Sequence, residues 1–440
     1  MKLTVFRSGK GDCLLLSGSD GTHVLVDGGM SNAYRNHVRS TLGRLAEDNE
    51  ELALIYVSHI DADHISGVLE MMEDILAWTR YDFQHAAGNR EFPAPGFPRP
   101  PRVRALWHNA FSKHLEDNQG PIEDQLVQNA RISSAHPLFD GPDPEGFRIL
   151  GDRYRLLANS VRQGLELTRR AGRQLGIPHN PDTGGELMTV ENVPEVLDLG
   201  ELQLTVIGPF QRELEELRED WNDWLEDNQA VIEEIERDIQ ADLNRHPDLR
   251  VMDEGQRLAS MLRLYTTALG ERENVTPPNL ASLMALAEEG DRRVLLTGDG
   301  HWEDILLGLE HRGKLDESGR MHLDVVKVQH HGSKNNINAE FCRRITAPHY
   351  VFCGNGDHHN PHLDVIRLLV ETRAHLPEDH PRAGQPYTLW FNCSSDVAGT
   401  DLRVEHMKKV EQLAGELEGV HPELTCCFVG EDKFEVPLGE

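Results

Sequence analysis

Cysteine is scarce in this chain of 440 residues: the six present (Cys13, Cys342, Cys353, Cys393, Cys426, Cys427) are dispersed, with one adjacent pair and no CxxC spacing. That pattern argues against a disulfide framework and against a Cys-type zinc finger. No apolar run approaches the roughly 20 residues that span a bilayer. The N-terminus, Met1 to Phe6, reads at once as a strand, without the basic start and apolar stretch of a signal peptide. The expectation is a cytoplasmic protein with no membrane partner. Positive charge is also in short supply, since 44 Lys and Arg stand against 74 Asp and Glu, a formal charge of −30. No basic stretch offers the Lys/Arg density that neutralises a duplex phosphate backbone, so an anionic substrate needs a locally positive site such as bound metal ions.

What is present begins with enough apolar residues, 38%, to bury a core. The length exceeds the roughly 100–200 residues of one ordinary domain, so one large domain with insertions, or two, is expected. Residues 1–78 alternate short apolar runs with turns, pass through a helical stretch near 36–48 and enter a βα unit. The proline-dense segment 91–103 marks where an insertion leaves that unit. Helical spacing over 161–175 stops at Gly176, with Pro178 beyond. From Gln211 to Leu243 apolar residues recur at three and four (Leu214, Leu217, Trp221, Trp224, Leu225), which describes an acidic amphipathic helix. That helix packs on its own domain or serves a protein partner or homodimer. Strand patterns return at 292–299, 323–329 and 349–354, and the end of the chain reads as a strand, a helix and a hairpin. The division expected is a first half-domain over 1–78, a mainly helical insertion over 79–272, the second half-domain over 273–380 and an extension over 381–440.

Chemistry concentrates where strands end. In Ser58-His59-Ile60-Asp61-Ala62-Asp63-His64, four potential ligands crowd behind a buried strand. On a strand-to-helix loop that spacing lets His59 and Asp61 point one way and Asp63 and His64 another, so two metal ions can sit a few Å apart. Asp299 ends a hydrophobic strand after Thr-Gly, where a carboxylate can bridge two cations. In His330-His331-Gly332-Ser333, consecutive side chains of an extended segment face opposite ways, so one histidine is expected to bind metal. Ser333 and Lys334 follow and offer a hydroxyl and a positive charge to an anionic substrate. His358, His359 and His362 share one loop, and His108 follows a short apolar run.

The 58–64 string resembles the HxHxDH signature of the metallo-β-lactamase fold, with Asp61 in place of the middle histidine. That variant is seen in the metallo-β-lactamase-like domain of the competence DNA-uptake channel and its soluble relatives. Five further segments resemble the family's motifs, in its order: Gly9-Lys10-Gly11-Asp12-Cys13, Val26-Asp27-Gly28-Gly29, Asn279-Leu280-Ala281-Ser282 leading into Leu295-Leu296-Thr297-Gly298-Asp299, the segment Lys327 to Lys334, and Gly356 to His362. The resemblance implies an α/β fold, an αββα metallo-β-lactamase sandwich carrying the insertion and the extension. It implies that Asp27 orients a ligand, that His331 joins the ion held by His59 and Asp61, and that His330 stays near the substrate and donates to it. His358 best fits the family's last ligand, with His359 and His362 as alternatives. His108 either takes the third-motif position or is structural.

Two zinc ions are the default cofactors, and Asp61 widens the choice to Mn²⁺ or Fe²⁺ by hardening one site. The activity implied is a metal-dependent hydrolase of a phosphoester, of nuclease or phosphodiesterase type, in which Asp63 accepts a proton from the attacking water. Small or single-stranded substrates are preferred over long duplexes. Two other readings are a non-catalytic module docking through the acidic helix, against which the complete ligand set argues, and a di-iron redox centre, which would need a flavin domain that is not evident.

Overall fold

The computed structural model describes residues 1–109, 163, 166–212, 282–378 and 380–439. Alternation of period two decides which face each strand buries. In β1 (Lys2–Phe6), β2 (Leu14–Ser17), β3 (His23–Val26) and β4 (Glu51–Tyr56), one set of side chains (Leu3, Val5, Leu14, Leu16, Val24, Val26, Leu54, Tyr56) faces a second sheet. The intervening Leu15, Leu25 and Ile55 face helices instead. Partners from the second sheet in the shared core include Val206, Ala285, Val294, Leu296, Val325 and Val351.

The first sheet runs β17 (Lys433–Val436), β1, β2, β3, β4 and β5 (Arg102–Val103), with β6 (Leu106–Trp107) also on β4. The second runs β16 (Leu424–Phe428), β15 (Tyr387–Phe391), β14 (His349–Phe352), β12 (Val325–Lys327), β10 (Arg292–Leu296), β9 (Met284–Glu289), β8 (Gln203–Gly208) and β7 (Leu197–Asp198), and β11 (Met321–His322) pairs separately with β13 (Ile345–Thr346). Helices α1 (Arg39–Glu47) and α2 (Ala62–Ala86) cover the outer face of the first. Helices α3 (Trp302–His311), α4 (Ala339–Arg344), α5 (Leu363–Ala374) and α6 (Asp401–Val420) cover the second. The αββα sandwich expected from the sequence is the observed architecture.

Three expectations are corrected. The segment 79–272 is not all insertion, because β5 (Arg102–Val103) and β6 (Leu106–Trp107) extend the first sheet and β7 (Leu197–Asp198) and β8 (Gln203–Gly208) the second. The C-terminus is not a hairpin. Strand β16 (Leu424–Phe428) lies parallel to β15 (Tyr387–Phe391) after the α6 crossover, whereas β17 (Lys433–Val436) crosses to the first sheet and pairs antiparallel with β1. Each strand thereby covers an open edge that local pairing would have left bare. The helix expected near 36–48 begins earlier, with a turn at Ser31–Ala33 and a wide turn at Tyr34–Val38 leading into α1. Gly176, at φ 66°, ends its helical segment as expected. The acidic stripe lies, from residue 213 onward, outside the described residues.

Candidate metal centre

The parallel strands β3, β4, β10 (Arg292–Leu296) and β12 (Val325–Lys327) end at one rim of the sandwich, and the loops that follow them bring the predicted residues together. Close backbone packing fixes the start of α2. The Gly28 N–H donates to the His64 carbonyl at 2.7 Å and the Gly67 N–H to that of Gly29 at 2.8 Å. A Cβ at Gly28 or Gly67 would strike the opposing backbone, so glycine is required at both. His64 is thereby held against the end of β3.

Four histidines converge on one carboxylate. The Nε2 atoms of His59, His330 and His331 each lie 3.5 Å from Asp299 Oδ2, and that of His64 lies 3.5 Å from Asp299 Oδ1. Each ring is aimed by its other nitrogen. His64 Nδ1 meets Asp27 Oδ2 at 2.9 Å, and His331 Nδ1 meets Asp12 Oδ1 at 3.0 Å. His330 Nδ1 meets Asn336 Oδ1 at 2.9 Å, and His59 Nδ1 meets the Ser58 hydroxyl at 3.1 Å. A carboxylate or carbonyl behind a ring nitrogen fixes the tautomer that leaves Nε2 to the centre.

His59 Nε2 and Asp299 Oδ1 are buried without a hydrogen-bond partner. Such atoms are costly unless something else satisfies them. The Nε2 atoms of His64 and His331 stand 3.3 Å apart. Two nitrogens bonded at about 2.0–2.1 Å to one tetrahedral metal ion stand about 3.3–3.4 Å apart. Ligand atoms of Asp12, His64, Asp299 and His331 all lie within 4.8 Å of one another, and all four residues are buried. These residues fit a divalent metal ion. Asp12 is best placed as an orienting group, because one of its oxygens holds His331 and the other pairs with the buried Lys327 ammonium.

The electrostatics follow from burial set against charge. Burial, and then the neighbouring His64, pull the His59 pKa down to about 3. His64 and His331 go the other way: burial is the largest single influence and opposes the charged form, but the carboxylates together overcome it, Asp299 with Asp27 at His64 and Asp299 with Asp12 at His331, and both are pushed well above the usual histidine range. Burial also works against ionised Asp299, yet the surrounding histidines hold it well below the carboxylate range. Lys327 stays charged against its burial because Asp12 and Asp299 flank it, the latter at 3.8 Å, and its Nζ donates to the Gly298 carbonyl at 2.9 Å.

Other predicted residues take varied places. Asp63 Oδ2 lies 3.5 Å from His331 Nε2 and 4.0 Å from Lys10 Nζ, at the mouth of the centre. Asp61 Oδ2 is 3.9 Å from His59 Nε2. Asp27 accepts from the Ser58 N–H and hydroxyl, each at 2.7 Å, as well as meeting His64. The 330–331 segment is not extended: His330 (φ 44°) and His331 (φ 56°) are both left-handed, and both Nε2 atoms reach Asp299. His331 Nε2 sits 3.3 Å from that of His64 and 3.5 Å from Asp63 Oδ2. Ser333 is buried and accepts from the Asn335 N–H at 3.4 Å, while Lys334 is exposed.

The last loop departs from expectation. Gly356 N–H closes it onto the Asn360 carbonyl at 2.8 Å, and Arg403 ties Asp357 at 2.9 Å, so His358 and His359 are turned out to solvent. His362 is half-buried, with Nδ1 on Asn360 Oδ1 at 2.8 Å. His358, expected as the last ligand, stands away from the cluster, whereas the His330 ring, expected near the substrate, lies by Asp299. His108 is a packed histidine, with Nε2 on the Thr168 hydroxyl at 3.1 Å, its ring 4.5 Å from that of His179, and a pKa held well below normal by burial.

Asp12 and Lys327 lie in sequence motifs that by themselves assign neither a role. The signal for Lys327 was a single lysine inside an otherwise apolar strand, Val325-Val326-Lys327-Val328. No curated protein matches this chain. The family model described as the Metallo-beta-lactamase superfamily matches residues 7–77, the segment that supplies Asp12, Asp27, His59, Asp61, Asp63 and His64. That match and the two-layered sheet architecture together give this chain the metallo-β-lactamase fold.

Proposed function

We propose that this protein is a metal-dependent hydrolase of phosphoesters whose centre holds two divalent ions, with zinc the default. The observation that carries the reading is the convergence of four histidine Nε2 atoms on Asp299, each ring aimed from behind. In this reading His59, His64, His330, His331 and Asp299 would hold the metal, with Asp61 as a further ligand beside His59. His330 acts as a ligand rather than as a proton donor, because its Nδ1 faces Asn336 Oδ1, an oxygen that only accepts. Bound metal supplies Lewis acidity and a water acidified toward neutrality.

The chain's own groups supply position and charge. Burial works against an ionised Asp63, but Lys10 and His331 hold its pKa well below the usual range, so it is a carboxylate at neutral pH. It accepts a hydrogen bond from the attacking water and orients it. Lys10 and Lys334 give a phosphoryl group local positive charge in a chain of −30. Small or single-stranded phosphoesters fit that field better than long duplexes do.

Metal analysis of the purified protein, followed by turnover of bis(p-nitrophenyl) phosphate, cyclic nucleotides and oligonucleotides with and without chelator, tests the proposal. The expected result is phosphoester turnover that chelation abolishes and metal restores. Turnover of lactone or thioester substrates alone would refute the phosphoester assignment, and turnover surviving complete metal removal would refute the centre itself.

A further inference from the structure

A cleft of about 300 Å³ opens beside the metal centre, between the β1–β2 loop and the loops that follow β14 (His349–Phe352) and β15. Its charge runs against that of the chain: three cations, Arg7, Lys10 and Arg403, line it against one carboxylate, Asp357, which Arg403 already holds at 2.9 Å. Lys10 joins it to the centre, because its Nζ lies 4.0 Å from Asp63. Behind Asn355, which lines the opposite wall, Gly354 packs so tightly against the His331 carbonyl that a Cβ there would come within 3.2 Å. The cleft and the centre are therefore one side chain apart.

A second observation points to a ligand. Asn392 lines the cleft and is 1% exposed. Its Nδ2 donates to the Phe6 carbonyl at 3.2 Å and to Ser8 Oγ at 2.8 Å, while its Oδ1 is buried and meets no donor. A buried acceptor without a donor costs free energy that a bound N–H or O–H group recovers. Arginine forks favour phosphate oxygens. The volume lies at the small end of ligand pockets, which start at about 300 Å³, a size for one nucleotide or sugar phosphate rather than an oligomer.

We propose that this cleft binds a phosphomonoester group of the substrate through Arg7, Lys10 and Arg403, with an adjoining hydroxyl or amine donating to Asn392 Oδ1. The scissile bond then lies across Lys10, at the metal centre. The assignment rests on the phosphoester reading and deepens it, by requiring a second phosphate beside the ester that is cut.

The test is calorimetric titration of the full chain in chelator, where no hydrolysis intervenes. Adenosine 5′-monophosphate should bind at least tenfold more tightly than adenosine, and the preference should shrink as salt rises. Arg7→Gln and Arg403→Gln should each remove most of it while leaving metal affinity at the wild-type level. Ribose 5-phosphate binding as well as the nucleotide identifies a sugar phosphate as the ligand, and weaker binding identifies a nucleotide. Equal affinity for adenosine and its monophosphate in the wild-type protein would overturn the proposal without any variant. So would full nucleotide affinity in a variant that still binds metal. Binding in the cleft of a protein that hydrolyses no phosphoester would sink the proposed activity and leave this site standing.

Discussion

Replacing Asp27 by Asn isolates what the carboxylate behind His64 does. Asp27 sits at φ 56°, in the left-handed region that Asn tolerates better than most residues, so the backbone has no reason to move. Asn Oδ1 can still accept from the Ser58 N–H, at 2.7 Å in the native protein. What changes is the other oxygen, which takes the Ser58 hydroxyl at 2.7 Å and His64 Nδ1 at 2.9 Å. An amide NH₂ there donates, so His64 must present Nδ1 as an acceptor and carry its proton on Nε2. That nitrogen faces His331 Nε2 at 3.3 Å and Asp299 Oδ1 at 3.5 Å, and a protonated Nε2 cannot ligate. Loss of such an orienting partner typically costs about 10–100-fold in metal affinity, or about 1.4–2.8 kcal/mol at about 1.4 kcal/mol per tenfold. Competition against a chromophoric chelator at neutral pH measures it, and thermal unfolding of the metal-free variant confirms the fold. Affinity within twofold of wild type would refute the argument that Asp27 sets the His64 tautomer.

Three other outcomes are expected. Lys327→Met leaves Asp12 and Asp299 buried without the ammonium between them, and the metal-free protein should lose about 3–5 kcal/mol in urea unfolding, the usual cost of breaking a buried pair from one side; a change under about 1 kcal/mol would mean that the carboxylates are satisfied otherwise. The raised pKa values of His64 and His331 contribute stability to the metal-free protein that is fully present below the unfolded histidine value of about 6.5 and is lost as pH rises through the folded values. Metal must displace those protons, so the rise in Tm on adding Zn²⁺ should be larger at pH 8 than at pH 6, and a rise that shrinks with pH would contradict the assignment. Asp299→Ala should abolish metal binding altogether, read by elemental analysis, whereas retention of one ion would show that Asp299 serves a single site.

Local sequence determined the parts of this protein that local geometry controls. The period-two runs of β1 to β4 dictate two buried faces, and a strand that ends at Tyr56 and is followed within eight residues by His59, Asp61, Asp63 and His64 must crowd its ligands at a rim, because the loop is too short to part them. Asp27 and Asp299 were legible for the same reason, each ending a buried strand. Tertiary structure decided the rest. His331 depends on Asp12, 319 positions away, and on a lysine whose charge is stable only because two carboxylates from other segments meet it. The two left-handed histidines at 330 and 331 turned both rings to Asp299, which a reading of that segment as extended could not foresee. His358 matched a motif, but it stands exposed in a loop that Arg403 from α6 holds through Asp357. The same holds for β16 and β17: adjacent runs that suit a hairpin went to different sheets, since each sheet had an edge whose backbone groups only a distant strand could satisfy.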